Sequence, residues 1–152
     1  REGHVMNASD PTRLLAYLLI SLVALATAIG PMRADFNATH ATNPLWTPHA
    51  RFHVVWQVLS QTGVSILILY LLWGANFRGH AWIAALMNFN WGFTFYLTLF
   101  NMKRFAGALS DVNGIPPFKF NIGGQIRTID TNLFLGTILM VVNLIAVALL
   151  AL

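Results

Sequence analysis

The stretch Asp35–His53, DFNATHATNPLWTPHARFH, joins two long apolar segments and contains three of the five histidines in the chain. Near its end, Thr47-Pro48 is typical of a helix start, because threonine is a good N-cap residue and proline suits the first helical position. A polar loop therefore leads directly into an apolar helix. This junction indicates both the fold and the position of a candidate site.

The composition is that of a membrane protein. The chain has 152 residues, 57% of them hydrophobic and only 9% charged, whereas soluble domains carry about a quarter charged residues. Cysteine is absent, which excludes disulfides and thiolate metal sites. The net charge of +4 comes from basic residues in loops beside apolar segments. Membrane orientation explains them better than nucleic acid binding, so we expect a lipid bilayer as partner and no nucleic acid.

Four segments are long enough to cross a bilayer, which requires about 20 mostly apolar residues. We predict spans at about 11–29, 48–73, 81–100 and 131–152, forming one transmembrane domain over residues 1–152. Gly30-Pro31 is expected to end the first span. Residues 1–9 could derive from an expression vector and are given no functional weight.

Four spans place the two long loops, 31–47 and 101–129, on one side of the membrane. These loops and the adjoining helix start carry six basic residues, against three on the other side. The positive-inside rule therefore favours a multi-pass protein with cytoplasmic long loops. The sequence leaves oligomerisation open.

The second long loop contains two short alternating segments, 118–122 and 125–129, around Gly123-Gly124. This pattern predicts a β-hairpin. The predicted fold is thus an all-α integral membrane protein, a four-helix bundle with a short hairpin between helices 3 and 4. The hairpin could be a lid over the first loop or a plain connector, and both interpretations stay open.

Polar side chains recur along two of the predicted spans. At 100° per residue they form one stripe on each helix, and we expect polar groups in a span to face the bundle interior. The stripes predict either a polar pocket or interhelical hydrogen bonding. Their members are His49, His53, Gln57, Ser60 and Gln61 on the second span, and Asn90, Thr94, Thr98 and Asn101 on the third.

His49 and His53 are four residues apart, a spacing that lets two imidazoles bind one metal ion. If the upstream loop folds back over the helix start, His40 and Asp35 would complete a set suited to zinc, iron or copper. Without a metal, the same four residues are candidate catalytic groups for proton transfer. A third interpretation makes them interfacial histidines bonded to loop carbonyls.

A small lipophilic ligand fits the remaining candidates. Gln57 and Asn90 would orient it, and Trp46, Trp56 and Trp91 would form apolar walls, although aromatic residues also serve packing. We therefore predict a membrane-embedded protein that binds and transforms a small lipophilic molecule. The alternatives are a non-enzymatic carrier of a lipid or metal ion and a structural subunit of a membrane complex.

The segments D35-F-N-A-T-H40 and N43-P44-L-W46-T-P48-H49-A50-R51-F52-H53 resemble a pattern of small four-span membrane proteins whose function is not established. The four-span layout is also similar to that of the sterol-isomerase and sigma-2-receptor group. That likeness implies a sterol-like ligand in an intramembrane pocket. The acidic catalytic residues of the group have no match in this chain.

Overall fold

The computed structural model describes residues 10–110 and 114–152. Residues 1–9, which could derive from an expression vector, lie outside the described part. The described chain is mostly helical, and all four predicted helices are present. Each is long and apolar enough to cross a membrane. The elements are α1 Pro11–Asp35, α2 Pro48–Trp73, α3 His80–Asn101, a single 3-10 turn Met102–Phe105, β1 Phe118–Ile122, β2 Gln125–Ile129 and α4 Thr131–Leu150.

The end predicted for the first helix is wrong. Helix α1 continues through Pro31 to Asp35, although proline removes one backbone hydrogen bond inside a helix. The extension has its own support, because the Asn37 side chain donates to the carbonyls of Arg33 and Ala34. Side chains that bond free helical carbonyls satisfy the end of a helix. The sequence signal at Gly30-Pro31 therefore does not stop the helix.

The four helices form an up-and-down bundle. The Trp73 indole donates to Ser21 at 2.9 Å, which joins the end of α2 to the first half of α1. Helices α1 and α2 pack together, as do α2 and α3, α3 and α4, and α4 and α1. The α1 start, the α2–α3 turn and the α4 end lie together, and we call this the terminal end. Both long loops lie at the opposite end, the loop end.

The buried core lies in the terminal half of the bundle and is built on small side chains. Alanines from three helices are completely or almost completely buried there, around Ile20 and Ile68. Small residues allow helix backbones to approach closely, which is the usual basis of helix packing in membranes. These alanines are Ala24 on α1, Ala81, Ala84 and Ala85 on α3, and Ala146 on α4.

A layer of buried polar residues covers this core toward the loop end. The Asn88 amide donates to the Ile20 carbonyl, and the Asn143 amide donates to the Ala85 carbonyl, both at 3.0 Å. These bonds join α3 to α1 and α4 to α3. Because a carbonyl is the partner in each case, the amide orientations are fixed. Both Oδ1 atoms are left buried with no partner among the described residues.

The hairpin prediction is confirmed. Strands β1 and β2 pair antiparallel, with Phe118 opposite Ile129 and Ile122 opposite Gln125. Gly123 and Gly124 have φ values of 59° and 80°, the positive values that a two-residue hairpin turn requires.

Replacing Ala146 with Leu tests the core. Ala146 is completely buried, so a larger side chain must push helices apart, and we expect a loss of about 1–3 kcal/mol in the free energy of unfolding. The matched control is Ala148→Leu, because Ala148 is exposed on the same helix; surface substitutions usually change stability by less than about 0.5 kcal/mol. Thermal unfolding in one detergent would measure both. Equal melting temperatures would contradict the assigned packing.

Candidate functional site

The loop between α1 and α2 is folded around two asparagines. Asn37 accepts hydrogen bonds from the backbone and hydroxyl of Thr39 through Oδ1, at 2.8 and 2.6 Å. Asn43 is buried; its amide donates to the Thr39 carbonyl and its Oδ1 accepts from the Leu45 backbone. Together with the bonds from Asn37 to the Arg33 and Ala34 carbonyls of α1, these local bonds give the loop a fixed shape. The position of His40 follows from this shape.

His40 pairs with its neighbours in the loop. Its Nδ1 lies 2.7 Å from the Thr39 hydroxyl and 3.7 Å from the Asp35 carboxylate. Its ring meets the Trp46 ring edge to face, with centroids 5.2 Å apart. Asp35 and His40 are therefore close neighbours, and the Trp46 ring packs against His40.

His49 and His53 form a second, separate pair on α2. Their Nε2 atoms lie 3.0 Å apart, so one ring donates a hydrogen and the other accepts it. Both rings are exposed. Phe52 and Trp56 contact His53, with ring centroids 5.9 Å away in each case. The pair thus lies on an aromatic outer surface of the helix.

The expected metal site of Asp35, His40, His49 and His53 is not assembled. In residues 10–110 and 114–152, no three histidine or acidic side chains come close enough to hold one ion. The physical reason is the loop, whose internal bonds keep His40 beside Asp35 and Trp46. The four residues make two pairs instead of one cluster.

The orientation predicted for the α2 stripe is wrong in part. Gln61 is buried, but His49, His53, Gln57 and Ser60 are exposed on the surface of the chain. The stripe is wide, and only its edge at Gln61 meets the neighbouring helices. The loop half of α2 also contributes no buried residue before Val58. The other buried polar positions of the helices are Thr27, Ser65, His80, Asn88, Thr131 and Asn143.

An open groove lies between α2 and α3 near the middle of both helices, and we call it the α2–α3 cleft. Val64, Met87, Asn90 and Phe93 line its floor. His53, Gln57 and Ser60 precede Val64 at helical spacing, so they continue along the same side of α2. Thr94 follows Asn90 by one turn on α3. By helical spacing, both polar stripes extend from the cleft toward the loop end, and Asn90 is their one member that lines the cleft itself.

The polar groups of the cleft do not bond across it. Thr94 and Thr98 donate to carbonyls of their own helix. Within the described part of the chain, the side chains of Gln57, Ser60 and Asn90 make no hydrogen bond. The one side-chain bond between α2 and α3 that the described residues contain is at the terminal end, where His80 Nδ1 lies 2.6 Å from the Leu71 carbonyl. Asn90 in the cleft, and Gln57 and Ser60 beyond it toward the loop end, therefore offer free donors and acceptors.

The three tryptophans predicted to form apolar walls lie in three different places. Trp46 packs on His40 in the loop, Trp56 is exposed beside His53, and Trp91 is half-buried on α3. They do not enclose a common space. Among the predicted ligand residues, only Asn90 lines the cleft. Gln57 lies two helical turns before Val64 on the same side of α2.

Sequence reasoning missed the role of His80. The sequence pattern did not single out this residue, but it is buried. Its Nε2 atom lies 3.4 Å from the Tyr17 hydroxyl, which also accepts a hydrogen bond from the Arg13 side chain. His80 thereby connects α3 with both α1 and α2. Its place directly after Gly79, at the start of a span, is the sequence signal that could have identified it.

Residues 19–98 match the model of a family of unknown function, DUF6640. The chain belongs to this family. The DUF6640 match covers most of α1, all of α2 and most of α3, and so contains both histidine pairs and the cleft. The hairpin and α4 lie outside it. No curated protein and no solved structure matches the chain significantly, so the likeness to the sterol-isomerase group has only the four-helix layout behind it.

The division of the α2 stripe is testable with single cysteines, since the chain has none of its own. We expect Gln57→Cys to react with a methanethiosulfonate reagent in detergent much faster than Gln61→Cys, because Gln57 is exposed and Gln61 is buried. Labelling rates measured by mass spectrometry would decide this. A slower reaction at position 57 would mean that the stripe faces the interior after all.

Proposed function

We propose that this DUF6640 protein spans a membrane four times and binds a small amphiphilic molecule in the α2–α3 cleft. The spanning part is supported by four helices of sufficient length and hydropathy. Their outer faces carry exposed large apolar side chains such as Leu18, Leu22, Ile66 and Leu144. A soluble protein rarely exposes so much apolar surface, whereas lipid tails would cover it.

Three unsatisfied polar side chains, Gln57, Ser60 and Asn90, carry the binding proposal. Gln57 lies nine residues after the start of α2, which is about 14 Å along the helix axis. At such depth, a polar group facing hydrocarbon costs several kcal/mol unless it finds a partner. A ligand with hydrogen-bonding groups would supply that partner.

The cleft also indicates the class of the ligand. Its floor is apolar apart from Asn90, with Val64, Leu86, Met87, Phe89 and Phe93. Amide and hydroxyl groups on its walls bind uncharged donors and acceptors. The proposed ligand is therefore a lipophilic molecule with uncharged polar groups, such as hydroxyl, ester or amide groups.

His49 and His53 are the groups we assign to the chemistry. Because their Nε2 atoms share one hydrogen, one ring can accept a proton while the other can donate one. His53 lies one turn from Gln57 on the same side of α2. A ligand held by Gln57 would thus have its polar end near the pair. Transformation of the ligand by proton transfer is the reaction class that this arrangement favours.

Native mass spectrometry of the gently solubilised protein tests the binding. We expect a co-purifying small molecule in the wild type and lower occupancy in Gln57→Leu and Asn90→Leu. Each lost hydrogen bond is worth about 0.5–1.5 kcal/mol, or roughly 2- to 12-fold in affinity. The matched control is Thr62→Val, because the Thr62 hydroxyl bonds the Val58 carbonyl of its own helix. Equal loss in the control would refute the cleft as the binding site.

The same experiment separates an enzyme from a carrier. If His53 takes part in a reaction, His53→Ala should accumulate the untransformed molecule, and the bound mass should differ from that in the wild type. An identical bound mass in the wild type and the variant would indicate a non-enzymatic carrier.

A structural subunit of a membrane complex is the second candidate. The observation that favours it is the exposure of His49, Phe52 and Trp56 on the outside of α2, a surface that a partner helix could cover. In that case, purification in mild detergent would yield a stable protein partner and no bound small molecule.

The sidedness of the long loops has a direct test. We expect single cysteines at Ala38 and Gln125 to react from the same side of the membrane, because an even number of spans separates them. Impermeant maleimide applied to intact and opened vesicles would measure this. Reaction from opposite sides would mean that one of the four helices does not span the membrane.

A further inference from the structure

The hairpin β1–β2 makes few contacts with the rest of the protein. Every residue of β1 is exposed, and in β2 only Ile129 is partly covered. A two-stranded hairpin alone is marginal in water and needs a surface to pack against. Its aromatic contacts to the bundle run through one ring, Phe134 of α4, which lies 5.1 Å from Phe118 and 5.7 Å from Phe120.

The tip of the hairpin is apolar. Ile122 ends β1 at the Gly123-Gly124 turn, and Ile126 is the second residue of β2, so their side chains lie on opposite faces of the tip. They are 67% and 71% exposed. Large aliphatic side chains at a turn oppose solubility, and patches of this kind mark interaction surfaces.

Basic residues lie on the strands behind this apolar tip and elsewhere at the loop end. Lys119 and Arg127 lie on the two strands, and Lys103 and Arg104 lie on the 3-10 turn at the end of α3. The ion pair of Asp35 with His40 is the only one within residues 10–110 and 114–152, so none of these four cations pairs with a described acid. An apolar tip with basic flanks fits a negatively charged lipid surface.

The hairpin is also held beside the first turn of α4. One residue, Asp130, separates β2 from α4, and the Thr131 hydroxyl donates to the Pro116 carbonyl at 2.7 Å. Phe134, its contact, lies in the first turn of α4. The hairpin therefore lies alongside the start of the helix instead of projecting away from it. If α4 spans the bilayer, this level is that of the lipid headgroups.

We infer that the hairpin docks on the anionic headgroups of the membrane that the helices span. Ile122 and Ile126 enter the interface, while Lys119 and Arg127 contact lipid phosphates. The inference rests on the proposed membrane spanning and goes beyond it, because it assigns a lipid-binding surface separate from the α2–α3 cleft.

The test uses nitroxide spin labels on single cysteines in lipid nanodiscs. With phosphatidylserine present, we expect labels at Ile122→Cys and Ile126→Cys to be accessible to oxygen and protected from a water-soluble nickel chelate. A label at Ala38→Cys, exposed in the other long loop, is the matched control and should stay accessible to nickel. Tip labels as accessible to nickel as that control would overturn the inference.

The charge contribution is measured with Lys119→Gln/Arg127→Gln. Attraction to an anionic surface weakens by about fivefold per basic residue removed, so the docked fraction should fall, with an equilibrium constant lower by roughly 25-fold for the pair. In nanodiscs of phosphatidylcholine alone, the unmodified hairpin should undock similarly. Equal protection with and without anionic lipid would overturn the assignment to anionic headgroups.

Two controls isolate the hairpin. A label at Leu67→Cys, an exposed mid-helix position of α2, must be accessible to oxygen if the helices span; failure there would reject the spanning itself, not the docking. Tip protection that persists in detergent, with dipolar broadening between labels, would instead reveal contact with a second copy and overturn the lipid assignment.

Discussion

Close packing of alanine faces in the terminal half of the bundle is the constraint on which the rest of the structure depends. Ala24, Ala84, Ala85 and Ala146 are buried there, and asparagine side chains join the helices just above them. Small residues permit this contact without any hydrophobic driving force between helices in lipid. The four helices are thereby fixed at one end, and the positions of all other groups follow.

The core is confined to the terminal half, and the loop half of α2 contributes no buried residue before Val58. The α2–α3 cleft opens near the middle of the two helices, beside this core. At the start of α4, the hairpin contacts the bundle through the single aromatic ring of Phe134 and has an exposed tip. Both proposals, the ligand cleft and the lipid-docked hairpin, come from polar or apolar groups that the protein itself leaves without partners.

The sites differ in how far the sequence could predict them. The four-residue spacing of His49 and His53 predicts that their side chains lie together, and they do. Convergence of Asp35 and His40 with them on one metal ion does not follow from spacing, because it depends on how the Asn37 and Asn43 side chains fold the loop. Helical spacing likewise placed Gln57 and Gln61 on one stripe, but it could not tell which edge of that stripe is buried.

By itself, the sequence determined four apolar helices, their order along the chain and the hairpin at Gly123-Gly124. These features depend on local composition and turn chemistry, which are properties of neighbouring residues. Only the tertiary structure decided that α1 continues past Pro31, that His80 links three helices, and that Gln61 is the buried member of the α2 stripe. Those outcomes depend on which helix faces lie against each other, and that is set by packing between residues far apart in the chain.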